Sequence, residues 1–253
     1  MGGMTQSDQP KKKRAPLSPL TVIAELLLLG GLGVFGYLVW QPWYSVVVLG
    51  QKQQAISENL SEKLAKQDPP EKKTAQGEIP VPVLDKNKHF GILYIPALGK
   101  NFANVVAEGV GRPFPLDDWN SGVGHYPQTA LPGQSGNFAL AAHRNGPLAP
   151  FRNVEHLRVG DPIYLETAAG WYTYRFRDQE VVTADTVDVL KPFPYLESTS
   201  VNSKGILTMT SCHPKNGAAL RIISYAVFDK FTPRSEGPPK YLAKVNTNVG
   251  KQQ

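Results

Sequence analysis

The residues with the clearest chemical potential lie in the segment ILTMTSCHPKNGAALRIISYAVF, residues 206–228. Two strand-like runs flank a loop rich in Pro, Asn and Gly. If the runs pair as an antiparallel hairpin, Cys212 falls opposite Arg221 or within one or two residues of it, and facing side chains lie about 5 Å apart. Nearby positive charge favours the reactive thiolate, and arginine can stabilise the oxyanion of a tetrahedral intermediate. The spacing is therefore typical of nucleophilic catalysis, with an ordinary surface strand residue as the alternative interpretation of Arg221.

A cysteine peptidase or transpeptidase also needs a group that carries protons. Of the five histidines, His143 follows the apolar run NFALAA and begins a loop, the usual position for a catalytic side chain held by a rigid element. His213 is adjacent to Cys212, but neighbouring side chains of a strand point to opposite faces. We therefore predict that His143 carries the proton, and its alternative role is that of a structural turn histidine.

Composition limits the remaining chemistry. The single cysteine cannot form an intramolecular disulfide or a paired-cysteine metal site, and neither a metal nor an organic cofactor is predicted. The formal charge of +6 is modest, and much of it lies near the chain ends, as in the KKKR run at residues 11–14. Because no basic stripe alternates with aromatic residues, nucleic-acid binding is not predicted.

The elements that must position these residues are predicted to be short strands. Beyond residue 88 the sequence consists of short apolar runs bounded by Gly and Pro, and WYTYRFR at 171–177 has the period-2 alternation of a half-buried strand. The runs most typical of strands are 91–95, 137–142, 162–167, 171–182, 206–211 and 220–228. Several short strands separated by turns predict a β-barrel or sandwich.

An apolar segment near the N-terminus predicts a membrane anchor. Residues 20–40, LTVIAELLLLGGLGVFGYLVW, carry one charge and have the length of about 20 residues that a spanning helix needs. The basic run precedes the segment and aromatic residues follow it, so the positive-inside rule places the N-terminus in the cytoplasm. A cleaved signal peptide is the alternative, but the run is long and no A-x-A-like site closes it.

Five segments are predicted: a cytoplasmic basic tail (1–19), a transmembrane anchor (20–42), a juxtamembrane helix with a Pro-rich linker (43–87), a catalytic domain (88–231) and a C-terminal tail (232–253). In the juxtamembrane segment, Ile56, Leu60 and Leu64 form a narrow helical stripe. This stripe predicts a stalk, either alone or paired with another chain. The tail, from Thr232 onward, is predicted to be loose.

The ordered motifs of this chain resemble those of the sortases, and class E sortases of actinobacteria most of all. The matching stretches are FGILYIPALGKNFANVVAEGV (90–110), GVGHYPQTALPGQSGNFALAAHRN (122–145), LRVGDPIYLE (157–166), and LTMTSCHP with Arg221 nine residues after the cysteine. The proline after Cys-His and the GHYPQTALPG stretch favour class E. The family's usual TLTTC appears as TMTSC: Met209 replaces Leu at similar volume, and Ser211 replaces Thr and keeps the hydroxyl.

The resemblance implies an all-β fold, an eight-stranded sortase-type β-barrel with short helices, preceded by one N-terminal transmembrane helix. It implies His143, Cys212 and Arg221 as catalytic residues. The residues implied to bind substrate are Tyr126, Thr210 and Ser211.

The implied reaction is transpeptidation at the outer face of the cell membrane. Cys212 attacks a Leu-Ala-X-Thr-Gly-like sorting signal between Thr and Gly, and the thioacyl intermediate passes to the amine of a peptidoglycan precursor. The implied partners are secreted proteins that carry such a signal, that amine and the membrane, with no nucleic acid. A further hypothesis is that Tyr126 helps to select Ala over Pro in the signal.

Two other functions stay open. A pilin-polymerising sortase shares the chemistry but joins protein to protein, and the spacer at 68–88 could hold a lid segment for it. A tethered β-domain that binds cell-wall peptides without turnover would not need the Cys212 thiol. Two other classes of cysteine enzyme fit poorly. Papain-like proteases place Cys before His in the chain, whereas here His143 comes first. L,D-transpeptidases need an SHGC-type run, which is missing here.

Overall fold

The computed structural model of the protein describes residues 18–44, 50–67, 79–146, 149–194 and 205–245. They belong to two units, one ending at Tyr44 and one beginning at Ser45. The first contains helix α1 (Pro19–Tyr44), whose stretch Pro19–Trp40 is long and apolar enough to cross a membrane. The predicted anchor lies on this helix. The basic run at 11–14 and the linker residues 68–78 lie outside the described residues.

Eight strands in the second unit close into a barrel, which confirms the predicted fold class. The strands are β1 (His89–Tyr94), β2 (Ala103–Glu108), β3 (Val123–His125), β4 (Asn137–Ala142), β5 (Pro162–Glu166), β6 (Gly170–Thr183), β7 (Ile206–His213) and β8 (Leu220–Pro233). Their order around the barrel is β1-β2-β3-β4-β7-β8-β6-β5. The β2–β3 and β4–β7 pairs are parallel, and the other neighbours are antiparallel.

Side-chain alternation along β7 separates the barrel interior from the face that carries the cysteine. Leu207 and Met209 are each 1% exposed and belong to the main core. Because successive side chains of a strand point to opposite faces, Thr208, Thr210 and Cys212 lie on the outer face. The core thus fixes the direction in which the thiol points.

Helix α2 (Gly50–Lys66) packs against the outside of the barrel. Leu64 is 3% exposed and lies, with Leu60 beside it, in an apolar cluster whose other members are mostly strand residues. Ser57 donates a hydrogen bond to the carbonyl of Ala103 at 3.1 Å, and Ser61 donates one to the Glu166 carboxylate at 2.7 Å. The stripe that the sequence assigns to a stalk therefore covers strands of its own chain.

Residues 232–245 differ from the predicted loose tail. Strand β8 continues to Pro233, and helix α3 (Lys240–Val245) follows. The Arg234 guanidinium bonds the buried Glu166 carboxylate at 2.9 Å and lies 4.8 Å from the centre of the Trp171 ring, while Leu242 is 1% exposed. The difference arises because one arginine and one leucine anchor this segment, and neither produces a periodic pattern.

Candidate active site

The ends of β4 and β7 bring His143 and Cys212 to one edge of the barrel. The two strands are parallel and pair Ala141 with Thr210, so their C-terminal ends lie side by side. His143 is the first residue after β4, and Cys212 is the last but one of β7. Continuing the register by two residues places His143 level with Cys212, on strands about 4.8 Å apart. Both residues are partly exposed, so a substrate can reach them.

Arg221 is the direct partner of Cys212 across the antiparallel β7–β8 pair, which confirms the predicted hairpin register. Its Nη1 atom donates to the carbonyls of Ala218 at 2.8 Å and Leu220 at 2.9 Å. These bonds hold the guanidinium at the base of the hairpin loop. Among the described residues Nε and Nη2 have no hydrogen-bond partner, so these donors are available to a substrate oxygen.

Arg144 ties the loop that begins at His143 to the strand of the cysteine. Its side chain is 4% exposed, and Nη1 donates to the backbone carbonyl of Cys212 at 3.3 Å and to Nδ1 of His213 at 2.8 Å. Because a buried arginine with several partners has little freedom, it fixes the spacing of β4 and β7 at their ends. Nδ1 of His213 is thereby engaged by Arg144.

Glu155 balances the buried charge of Arg144. Its carboxylate lies 3.2 Å from Nη2 of Arg144 and 2.5 Å from Nζ of Lys215. Partial burial works against the ionised form, but hydrogen bonds from Lys215 and the backbone, with the charge of Arg144, hold the pKa of Glu155 below its usual 4.5. The carboxylate is therefore ionised at neutral pH and links β4, β7 and the hairpin loop.

Asn145 fixes the hairpin loop between Cys212 and Arg221. Its amide donates to the carbonyl of Gly217 at 2.7 Å, and its side-chain oxygen accepts from the backbone N–H of Asn216 at 2.7 Å. Asn216 has a φ of 64°, a left-handed conformation that asparagine tolerates better than most residues. Of the three consecutive residues 143–145, His143 thus provides the candidate reactive side chain, while Arg144 and Asn145 hold the adjacent strand and hairpin loop in place.

Asp117, which the sequence did not single out, contacts the candidate proton carrier. Its Oδ1 accepts a hydrogen bond from Nε2 of His143 at 2.7 Å, and its Oδ2 accepts one from Nε of Arg112 at 2.7 Å. Hydrogen bonds from Arg112 and then His143 lower the pKa of Asp117. The pKa of Arg112 is raised, chiefly by Asp117, with a smaller contribution from the charge of Cys212.

Of the three predicted substrate-binding residues, Thr210 and Ser211 lie on opposite faces of β7, and Tyr126, which follows β3, contacts Thr210. The hydroxyl of Tyr126 lies 3.0 Å from that of Thr210, which shares the outer face with Cys212. Ser211 instead donates to the carbonyl of Ala142 at 2.7 Å and is buried. Tyr126 and Thr210 thus lie beside the reactive edge, whereas Ser211 braces β4 against β7.

The sequence carries no signal that joins Asp117 to the site. It lies in PLDDWN, 26 residues before His143, in a segment between β2 and β3 whose path a local pattern does not specify. Arg144 and Asn145 directly follow His143 in the chain, but no local pattern indicates the contacts that they make with β7 and the hairpin loop. In the part of the chain that the structure describes, no group of three or more His, Cys, Asp or Glu residues is placed to hold a metal ion.

Comparisons with known proteins agree with this fold and arrangement. The family model described as Sortase domain matches residues 93–229, more than half of the chain. Sortase SrtE1 of Streptomyces coelicolor is 30% identical over 241 residues, which are 92% of this chain and 63% of that protein. The chain therefore spans a little under two thirds of the length of that relative.

Two solved structures share the fold. The structure of sortase E from Streptomyces avermitilis matches with a TM-score of 0.55 and 34% identity, covering 62% of this chain and 99% of that one. The crystal structure of Sortase E1 from Streptomyces coelicolor with a tripeptide in the active site matches with a TM-score of 0.56 and 32% identity, covering 63% of this chain and 99% of that one.

Proposed function

This chain belongs to the sortase family and is class E-like, and from that premise we propose that it is a cysteine transpeptidase with Cys212, His143 and Arg221 as its catalytic residues. The observation that carries the proposal is the direct pairing of Cys212 with Arg221 at the barrel edge where His143 follows the adjacent strand. Nucleophile, proton carrier and oxyanion donor thus come from three neighbouring strands.

In the first half of the proposed cycle, the Cys212 thiolate attacks the carbonyl carbon of the threonine in a sorting signal. The carbonyl oxygen becomes an oxyanion, and the free Nε and Nη2 donors of Arg221 stabilise it. The C–N bond then breaks, and His143 gives a proton to the departing glycine amine. The products are a thioester on Cys212 and a free C-terminal fragment.

In the second half, an acceptor amine attacks the thioester. His143 takes a proton from the amine, the carbonyl oxygen again becomes an oxyanion beside Arg221, and the C–S bond breaks to release the thiolate. Dividing one amide exchange into two thioester steps is covalent catalysis. We propose a peptidoglycan precursor as the source of the amine and secreted proteins with a Leu-Ala-X-Thr-Gly-like signal as the substrates.

The site suits a peptide substrate. The tripeptide in the active site of the Streptomyces coelicolor relative supports peptide binding at the matching place here. The end of β7 that carries Thr210 and the partly exposed Cys212 would receive the peptide beside the thiol.

Helix α1 supports a location at the membrane. A single apolar helix of sufficient length, together with the basic run before it and the aromatic residues at its far end, supports a single-pass anchor with a cytoplasmic N-terminus. The catalytic barrel would then work outside the cell, where its proposed substrates are.

The proposal is tested with the full chain in detergent, incubated with fluorogenic Leu-Ala-X-Thr-Gly and Leu-Pro-X-Thr-Gly peptides, with and without an oligoglycine amine. We expect cleavage, a ligated product when the amine is present, and an acyl-enzyme by mass spectrometry. Cys212→Ala is the control and should abolish all three. Cleavage that persists in Cys212→Ala, or peptide binding without turnover by the folded wild type, would contradict the transpeptidase.

A further inference from the structure

Asp117 lies on the segment between β2 and β3 that passes the reactive edge. Backbone hydrogen bonds hold this segment in place: Leu116 N–H donates to Gly111 at 3.3 Å, Asp117 N–H to Pro113 at 3.1 Å and Gly122 N–H to Pro115 at 3.1 Å. The carboxylate is therefore presented by an ordered turn. Its side chain is 34% exposed and that of His143 is 26% exposed, so the contact lies at the rim of the site.

The contact determines which ring nitrogen of His143 can exchange protons. A carboxylate accepts hydrogen bonds but does not donate them, so the 2.7 Å contact requires a proton on Nε2. This leaves Nδ1 as the nitrogen that can give a proton to, or take one from, a reacting amine. An imidazole held in this way has one orientation and one neutral tautomer.

Arg112 keeps the carboxylate in its ionised form and in position. It donates to the second carboxylate oxygen, Oδ2, at 2.7 Å, so each oxygen of Asp117 has its own donor. Together these hydrogen bonds lower the pKa of Asp117. The negative charge beside His143 is thus present throughout the pH range in which an amine acceptor reacts.

We propose that Asp117 is a positioning residue that orients His143, selects its Nε2–H tautomer and stabilises the imidazolium formed during each cycle. When Nδ1 takes a proton from the acceptor amine, the ring gains one positive charge, and when Nδ1 gives a proton to the departing amine, that charge is lost. Asp117 stays anionic in both steps and transfers no proton itself. The inference rests on the proposed transpeptidase function.

The test measures both the tautomer and the kinetics in the full chain. Nitrogen-15 spectra of histidine-labelled protein report the protonated ring nitrogen, and the His143 signals are assigned by their loss in His143→Gln. We expect the neutral His143 ring to carry its proton on Nε2 in wild type and to show a mixture of tautomers in Asp117→Ala. Asp117→Asn keeps a hydrogen-bond acceptor without the charge. It should therefore retain a larger share of the Nε2–H tautomer of His143 than Asp117→Ala does.

The kinetic prediction separates catalysis from binding. Asp117→Ala should lower kcat for peptide transfer at least about tenfold, the effect of losing one charge-assisted hydrogen bond to the reacting ring, with KM for the peptide within about twofold of wild type. The kcat of Asp117→Asn should lie between those of wild type and Asp117→Ala. Asp118→Asn is the matched control, because this neighbouring carboxylate bonds Ser121 and Asn120 rather than His143; its tautomer and kcat should match wild type.

Two results would overturn the inference: an unchanged Nε2–H tautomer in Asp117→Ala, or a changed tautomer with kcat within about twofold of wild type. A wild type that shows the Nε2–H tautomer but no peptide transfer would instead contradict the proposed function. Because the pair is partly exposed and such ion pairs contribute little to stability, the variants should melt near wild type, so lost activity would not reflect unfolding.

Discussion

Cys212 and Arg221 face each other directly across two antiparallel strands, in the register Ser211 to Ile222, Cys212 to Arg221 and His213 to Leu220. The relationship is fixed by backbone pairing, so it does not depend on a flexible loop. Two carbonyls of the same hairpin, those of Ala218 and Leu220, hold the guanidinium there. A change at residue 221 should therefore affect the chemistry more than the fold.

The first prediction concerns the charge and shape of that side chain. Arg221→Ala should lower kcat/KM for peptide cleavage by about 10²–10³, the usual cost of removing one oxyanion donor. Arg221→Lys should recover only part of the loss, because an ammonium lacks the planar fork of donors. The measurement is steady-state cleavage with melting curves. Arg175→Ala, which removes an exposed ion pair with Asp229, is the control and should retain full activity.

The second prediction concerns acid stability and Glu155. Because its pKa is lowered in the folded state, its contribution to stability is complete above the usual 4.5 and is lost as the pH falls through the lower, folded value. Melting temperatures of wild type and Glu155→Gln should therefore differ at pH 7, and the difference should shrink as the pH falls from the usual 4.5 through the lower, folded pKa of Glu155. The other acidic groups are the same in wild type and in Glu155→Gln, so their contributions cancel in the difference between the two melting temperatures. A constant difference across this range would contradict the role of Glu155.

The third prediction concerns Glu166, whose carboxylate is buried on the outer side of the barrel wall, beneath helix α2. Glu166 is fully buried and accepts hydrogen bonds from Tyr94 at 2.8 Å, Ser61 at 2.7 Å and Arg234 at 2.9 Å. Glu166→Gln leaves the arginine without a charged partner, so we expect a loss of about 3 kcal/mol, or roughly 6–12 °C in Tm. Asp188→Asn breaks an exposed pair with Lys191 and is the control. A Glu166→Gln protein that melts with the control would contradict this prediction.

The fourth prediction concerns helix α2. A chain that begins at residue 79 lacks Leu64, which is 3% exposed, and the serines that bond the barrel. It should melt well below a matched chain that begins at residue 45 and should expose apolar surface to a hydrophobic dye. Equal melting temperatures would show that the helix packs without stabilising the barrel.

Local patterns in the sequence predicted the part of the fold that carries the nucleophile. Residues 137–142 were predicted as a strand with the bounds that β4 has, and the hairpin register of Cys212 with Arg221 was predicted because both depend on a short stretch of chain. The strands β2 and β3 were not recognised from their own residues. Every residue of β2 is buried, which removes the polar alternation, and β3 has only three residues.

Long-range contacts were the part that the sequence did not predict. Asp117 reaches His143 from a segment whose path depends on the whole barrel, and α2 reaches Glu166 over 105 residues of chain. A narrow stripe such as Leu60 and Leu64 indicates that a helix has an apolar side but not what covers it. For Leu242 in the C-terminal segment, too, the sequence shows an apolar residue but not what covers it.

The last prediction concerns the choice between Ala and Pro in the sorting signal. The hydroxyl of Tyr126 lies 3.0 Å from that of Thr210, and Thr210 precedes Cys212 by two residues on the same strand face. Tyr126→Phe removes this hydrogen bond, and Tyr126→Ala also removes the ring; both should narrow the ratio of kcat/KM between Leu-Ala-X-Thr-Gly and Leu-Pro-X-Thr-Gly peptides.

Thr210→Val and the Tyr126→Phe/Thr210→Val double variant complete a cycle that isolates the pair. If the hydrogen bond sets the preference, the double variant should match either single variant, because the second change removes a contact that the first has already broken. Additive effects would assign the preference to each side chain separately, and an unchanged ratio in both tyrosine variants would remove Tyr126 from substrate selection.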